Sequence, residues 1–442
     1  MSSSHYTNKE ISLVMVGGPS GVGKTTIINA LIEKYPKAYR RPKSYTTRRP
    51  RPGEERTLGE YSFVSPQQMD RLHEAGDLVA LDHAYGNAYA IDRASLEAIA
   101  DGGHIPIKEV HPANHAKLRQ HLPRALSVLL RQIKTPAGTI EDFRGIAPDR
   151  ADRDQAYFSS LEISAFDVVY PMTNLKISVD VCALHRTLSA VLQLRDRYPG
   201  AAEIDELNRA GYEKLANEFH DSFRVTTKNF HEVSRAFWQD VIKRLIKRDA
   251  DCLELGPGNG WLRSAVNWPN VKYHSIDIAS SMSRDKRDVH DCTTTARCLP
   301  YDAETFDAVV ASLADPFLFP AAVSEISRVL RPHGRFIFTA PTASWAKAVR
   351  DSKLLDVTTF VMSAGEHITV FSFAREDSEI AELAGLTGFT IESHSLLKGS
   401  HLPRLGTVSP ILAKAADQLE CPLAELPILD AFVLSKVSED NG

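Results

Sequence analysis

The sequence lacks most of the features that would set it apart from an ordinary globular chain. Its five cysteines, Cys182, Cys252, Cys292, Cys298 and Cys421, are odd in number and never spaced as CxxC. That excludes a disulfide framework or a cysteine zinc site as the organising device and fits a reducing compartment. No apolar run approaches the roughly 20 residues that cross a bilayer, and the opening MSSSHYTNKE is polar rather than a signal peptide. No membrane association and a cytoplasmic location are therefore expected. An excess of one charge is also missing: Lys and Arg number 52 against 56 Asp and Glu, a formal charge of -4. Wholesale coating of nucleic acid, which needs surplus cations against phosphates, is not expected. Internal repeats and low-complexity tracts are absent, and 43% hydrophobic with 24% charged residues is a balance that folds throughout.

A length of 442 residues exceeds what one core ordinarily organises and points to two or three domains. Residues 11–16 read as a short buried parallel strand, and residues 25–34 as a helix, with a Gly-rich loop between them. A basic, Pro-rich stretch covers 39–56, and alternating strand and helix signals continue to about Leu194. Pro199 and Gly200, in RDRYPGAAE, interrupt the pattern, so domains are expected at 1–197 and 198–442. Helical spacing then runs from Asp205 to Lys247, a strand begins at Cys252, and a second Gly-rich turn opens a second βα series. Two such series imply two doubly wound α/β domains.

The first loop, Gly18-Pro19-Ser20-Gly21-Val22-Gly23-Lys24-Thr25 followed by Thr26, has the form G-x-x-x-x-G-K-[ST]. In that form backbone N–H groups and a helix terminus surround phosphate oxygens. Lys24 would reach the β and γ phosphates of ATP, and Thr25 would ligate Mg²⁺. The segments SYTTRRPRPGE from Ser44 and YSFVS from Tyr61 resemble the acceptor-binding region of guanylate kinases, so the first domain is similar to the P-loop nucleoside monophosphate kinases. The resemblance implies that Ser44, Arg48, Arg51 and Tyr61 hold the acceptor's phosphate, a task suited to Arg forks, with Tyr89 retained beside them. Two positions depart from that family. Ala80 stands where a glutamate reads guanine, and Ile91 where a small hydroxyl residue follows the YG pair, while Asp82 offers a carboxylate two residues on. The lost glutamate resembles the ribose 1,5-bisphosphate phosphokinases, whose acceptor is a sugar phosphate without a base. A small phosphorylated substrate is implied in either case. Glu109 takes roughly the place of an acidic residue near the metal, and Arg144, Arg150 and Arg153 are candidates for lid arginines. With Lys24, Arg48 and Arg51, Arg144 and Arg153 would stabilise charge on the transferring phosphoryl group. His111, His115 and His121 read as a solvated helix face.

The second loop, Glu254-Leu255-Gly256-Pro257-Gly258-Asn259-Gly260, has the E-x-G-x-G-x-G form of motif I in class I methyltransferases dependent on S-adenosylmethionine (SAM). Asp277 ends the next strand about 20 residues on, where a carboxylate grips ribose hydroxyls. LPYDAETFDAVVAS from Leu299 and EISRVLRPHGRFIFTAP from Glu325 resemble the ubiquinone-biosynthesis type of this family. The resemblance implies a Rossmann-like domain with Tyr212 and Phe219 on a helix covering the SAM pocket, and Ile278 beside Asp277. The acid nearest the adenine position is Asp291. Asp315-Pro316-Phe317 reads as a turn that lacks the second proline of the amino-methylating motif, and His220, His231 and His290 are given no role. Both sites working, with a small-molecule methyl acceptor that includes nucleotides and sugar phosphates, is the leading expectation. The alternative makes the kinase-like domain a nucleotide-binding regulatory or scaffold module, against which the retained Lys24 and Thr25 argue.

Overall fold

The computed structural model describes residues 11–50, 61–84, 86–132, 157–158, 161–172, 177–216, 218, 224–282, 292–351, 354–403 and 407–438. They divide into two compact units, one ending at His185 and the other beginning at Arg186. Among the described residues, no helix is long and apolar enough to cross a membrane.

In the first unit the strand Val14–Gly17 is buried at all four residues, as a strand covered on both faces must be. It lies at the centre of a five-stranded sheet in the order Tyr39–Arg40, Ile105–Glu109, Val14–Gly17, Leu126–Gln132, Val168–Met172, parallel at every pair. The helix Lys24–Lys34 follows the central strand and turns Ile27, Ile28 and Leu31 inward, an apolar stripe at helical spacing. A four-stranded sheet, in the order Tyr61–Phe63, Ser44–Thr46, Asn87–Asp92, Leu78–Ala84, carries the acceptor segment. The helix Pro66–Glu74 leaves this sheet through a capping box between Ser65 and Gln68, a device that stabilises a helix start by about 1 kcal/mol.

The second unit is a seven-stranded sheet in the order Cys292–Thr293, Lys272–Asp277, Asp251–Leu255, Phe306–Ala311, Leu330–Pro341, Pro427–Lys436, Phe389–Lys398. The first five strands are parallel, and Pro427–Lys436 inserts antiparallel to both of its neighbours. The strand order reverses at Asp251–Leu255, which puts the ligand crevice of such a sheet at its carboxyl end. The single helical run expected over 205–247 is two helices, Ala201–Leu215 and Val225–Leu245. The first starts directly after the Pro199 and Gly200 break, and Arg224, with a non-helical ψ of 57°, precedes the second.

The helix Ala201–Leu215 is fastened by a buried ion pair to the turn that follows the strand Cys292–Thr293. Arg297 Nε donates to Asp205 Oδ2 at 2.5 Å and Thr295 Oγ1 donates to Asp205 Oδ1 at 2.7 Å. Removing one partner of such a pair typically costs about 3–5 kcal/mol, because it strands a buried charge.

Candidate functional site

The first loop owes its shape to glycine. Gly23 caps the helix Lys24–Lys34 at φ 95°, in the left-handed region that an L side chain resists. At Gly18 a Cβ would stand 2.7 Å from the carbonyl oxygen of Leu130, so the backbone there passes too close to the neighbouring strand for any side chain. Lys24 opens the helix, and its Nζ donates to the carbonyls of Gly18 and Pro19, each at 2.8 Å. The ammonium therefore lies over the loop, and Thr25 and Thr26 are exposed on the first helical turn. Backbone donors, a helix terminus and one cation form a donor set that fits a polyphosphate chelating Mg²⁺. Ser20 is half-buried; Gly21 and Val22 complete the turn, with Val22 N–H donating to Pro19 O at 3.3 Å.

A cavity of about 220 Å³ joins this loop to the small sheet: it is lined by Gly18, Ser20 and Lys24 of the loop, by Tyr61, Asp82 and Tyr89 of the small sheet, and by Glu109 at the end of the strand beside the loop's own. Tyr61 and Tyr89 meet edge to face at 6.3 Å. Asp82 is paired across the strands with Tyr89 and accepts a hydrogen bond from Asn114. Ile91 lines the same cavity as an apolar wall. Lys108 escaped the reading of the sequence: it is 5% exposed, lines the cavity, and holds its Nζ 4.3 Å from the Tyr61 ring centroid. A lysine in a buried strand gives no periodic signal. Ser44 and Arg48 lie outside the lining. Ser44 is fully buried with its hydroxyl toward Pro42 O, and the Arg48 guanidinium lies over the rings of Tyr61 and Phe63 at 5.6 and 5.3 Å. Arg51, Arg144, Arg150 and Arg153 lie outside the described residues.

Two histidine assignments are corrected: His111 is half-buried, caps the 3₁₀ turn Pro112–Asn114 and lines the cavity. His115 is buried rather than solvated, with Nδ1 against Ser127 Oγ and Nε2 3.2 Å from Val110 O. Burial first, then the neighbouring Arg119 and His111 charges, push its pKa down to about 4 despite the carbonyl of Val110. His121 is exposed as expected.

The second loop places Gly256, Gly258 and Gly260 all at positive φ. A Cβ at Gly256 would approach the Phe317 ring to 3.0 Å, so glycine lets the loop pack this close to that ring. The loop lies beside a cavity of about 400 Å³ that is lined by Tyr212, Glu254, Gly256, Gly258, Asp277 and Ile278 together; of the other residues expected there, the helix cap Gly260 is outside the lining and Phe219 outside the described residues. Glu254 is 1% exposed, its Oε2 has no hydrogen-bond partner, and burial, reinforced by the Asp277 charge, pushes its pKa up to about 8. An orphaned buried carboxyl oxygen beside a glycine cradle fits a cationic, hydroxyl-bearing group such as SAM. Asp277 Oδ1 accepts from Ala279 N–H at 3.0 Å, which fixes the carboxylate at the strand end.

Asp315 and Pro316 form the expected turn as one 3₁₀ step and are both buried in the cavity wall. Phe219, His220, His290 and Asp291 lie outside the described residues. Asp205, Thr295 and Asn208 line the pocket without having been expected, because they meet only through the fold.

These two sites define a P-loop phosphoryl-transfer fold followed by a doubly wound cofactor-binding fold. Residues 10–169 match the family model described as guanylate kinase, and residues 253–338 match a methyltransferase domain. The chain thus carries a guanylate kinase-like domain followed by a methyltransferase-like domain. It is 35% identical over 119 residues to the guanylate kinase of Alkalilimnicola ehrlichii, covering 27% of this chain and 58% of that protein. Against the guanylate kinase of Streptomyces coelicolor it is 34% identical over 118 residues, covering 27% and 59%. The chain thus spans less than two thirds of the length of these relatives. Solved structures similar to it include a guanylate kinase from Anaplasma phagocytophilum (20% identity, 48% of this chain, 98% of that one, TM-score 0.31). Another is an S-adenosylmethionine dependent methyltransferase from Mesorhizobium loti (14% identity, 46% and 98%, TM-score 0.30).

Proposed function

We propose that the chain is a bifunctional transferase, with residues 1–197 moving a phosphoryl group from Mg·ATP to a small phosphorylated acceptor and residues 198–442 methylating a small molecule. The observation that carries the first half is the cavity that Lys24 and the glycine loop line together with Tyr61, Asp82 and Tyr89. There the loop N–H groups and Lys24 hold the transferring phosphates and Thr25 ligates the metal, while Arg51, and Arg48 reaching in from over the Tyr61 ring, grip the acceptor. Lid arginines, with Arg144 and Arg153 as candidates, close over the phosphoryl group. Transfer of this kind needs positioned cations more than covalent chemistry. With Ile91 as an apolar wall and Ala80 in place of a carboxylate, the acceptor is a sugar phosphate or a monophosphate other than efficiently used GMP. Loss of base-reading hydrogen bonds typically costs about 1–3 kcal/mol each.

In the second half, Asp277 holds the ribose hydroxyls, the glycine loop admits the cofactor, and Tyr212 closes over it. When bound, SAM supplies a methyl on a sulfonium: the acceptor's lone pair takes the methyl, the C–S electron pair stays on sulfur, and the acceptor's proton passes to water. This chain's part is alignment. A regulatory reading of the first domain is favoured by one observation, that Ser44 and Arg48 lie outside the cavity lining. Incubating the purified chain with a panel of nucleotides and sugar phosphates, with ATP and SAM separately and together, and reading products by mass spectrometry decides between them. Transfer to an acceptor, lost in Lys24→Ala, supports the bifunctional reading; ATP binding without transfer to any acceptor supports the regulatory one.

A further inference from the structure

In the first unit the strand Ile105–Glu109 runs beside the central strand, with Lys108 opposite Met15 and Glu109 opposite Val16. An interior strand of a parallel sheet is ordinarily apolar throughout, because both of its faces are covered. Lys108 breaks that pattern near the carboxyl end of its strand, the end at which sheets of this kind bind ligands. It is 5% exposed and lines the cavity. Withdrawing an ammonium group from water is costly, and lysine is almost never buried this far without compensating groups.

Part of the compensation is aromatic. Lys108 Nζ stands 4.3 Å from the Tyr61 ring centroid, within the range of a cation–π contact. The Arg48 guanidinium lies over the same ring at 5.6 Å. The two cations differ in place, since Lys108 belongs to the lining of the cavity and Arg48 does not. Inside the cavity, the cation beside Tyr61 is therefore the lysine.

The remaining charges of the lining sit elsewhere. Lys24 Nζ lies over the glycine loop, and Lys117 Nζ donates to the Leu81 carbonyl at 2.7 Å. Asp82 accepts from Asn114, and Glu109 Oε1 lies 3.8 Å from Arg41 Nη1. Positive charge thus stands in two parts of one lining, at the loop through Lys24 and at Tyr61 through Lys108. Transfer between two anionic reactants needs cations at both.

We propose that Lys108 is an acceptor-binding residue that selects for a phosphorylated acceptor: its ammonium donates to the acceptor's phosphate inside the cavity, beside Tyr61. The inference rests on the reading of this unit as a kinase. It adds a side chain that lies outside the segments 44–54 and 61–65, from which the acceptor residues were read.

The test is calorimetry on the full chain with Mg²⁺ and the non-hydrolysable ATP analogue AMP-PNP. The loaded protein is then titrated with ribose 5-phosphate and GMP, and with ribose and guanosine as their counterparts without phosphate. Lys108→Met keeps the length of the side chain and removes its charge. The expected result is that both phosphorylated probes bind more tightly than their counterparts and weaken about tenfold or more in Lys108→Met, the scale of losing a hydrogen bond to a charged group. AMP-PNP affinity, read on the same samples, stays unchanged and separates loss of the acceptor contact from loss of the fold; Lys108→Gln serves where Lys108→Met does not fold. Failure of AMP-PNP to bind sinks the kinase reading and this proposal together. AMP-PNP binding with neither phosphorylated probe bound, or with their affinity unchanged in the variant, overturns the proposal alone. So does an equal loss for ribose and guanosine, the mark of a lysine that only props the Tyr61 ring.

Discussion

Two glycine loops each follow an interior parallel strand and precede a helix in their sheets, yet they present opposite charge. The first offers Lys24 above left-handed glycines. The second offers no cation from the loop itself but has the Asp277 carboxylate on the adjacent strand end. The difference teaches what the shared geometry leaves open. Glycines and a helix start let a ligand approach the backbone, while the charge of the side chains around them selects an anion in one case and a sulfonium-bearing nucleoside in the other.

The largest effect expected from breaking this contrast is at the cation. Lys24→Ala should reduce phosphoryl transfer by about 10²–10³-fold, the scale of losing one donor to transition-state charge, and should leave SAM affinity unchanged. Radiolabelled ATP and SAM assays on one preparation read both. Loss of both activities would show that the charge contrast is not what divides the two sites.

A smaller effect is expected at the carboxylate. Asp277→Ala should weaken SAM by about 10- to 100-fold, the loss of hydrogen bonds to a charged acceptor, with ATP binding intact, as measured by calorimetry. Unchanged SAM affinity would remove Asp277 from the ribose site.

The smallest effect sharpens the comparison through pH. His115 in the first unit is held below its ordinary value, at about 4, so the folded state favours the neutral ring. Its contribution to stability is present above about pH 6.5 and is lost as pH falls through 4. Glu254 in the second unit is held above its ordinary value, at about 8, so the folded state favours the protonated acid. That contribution is full below about pH 4.5 and is lost as pH rises through 8. Calorimetric unfolding should therefore show the first unit weakening on acidification and the second on alkalinisation, with His115→Gln and Glu254→Gln each flattening its own window. Parallel pH trends in both units, unaltered by either variant, would refute these assignments.

Much of this was legible because the chemistry is contiguous. Residues 18–25 and 254–260 are each one turn of chain, so spacing alone reveals them, and the strands and helices flanking them differ from expectation by only a few residues. His115 was misread because a seven-residue helix is too short for periodicity to tell its buried face from its wet one. Lys108 and the pair of Asp205 with Arg297 left no signal, since a charge in an apolar strand or on a helix looks solvated until its partner, 92 residues away in the latter case, is known.

By itself the sequence determined two βα series, the two phosphate- and nucleoside-type loops, and the likeness of each to a family, because local backbone geometry and residue type carry those. Which groups stand around each loop was decided only by the tertiary structure. Tyr61 and Tyr89 are brought to the first loop by a second sheet and Lys108 by the neighbouring strand of the loop's own sheet, and Phe230, Trp345 and Phe360 to the second by two helices and a hairpin. The physical reason is that a cavity wall is assembled by packing between segments distant in the chain, and hydrophobic burial draws them together without regard to their order in it.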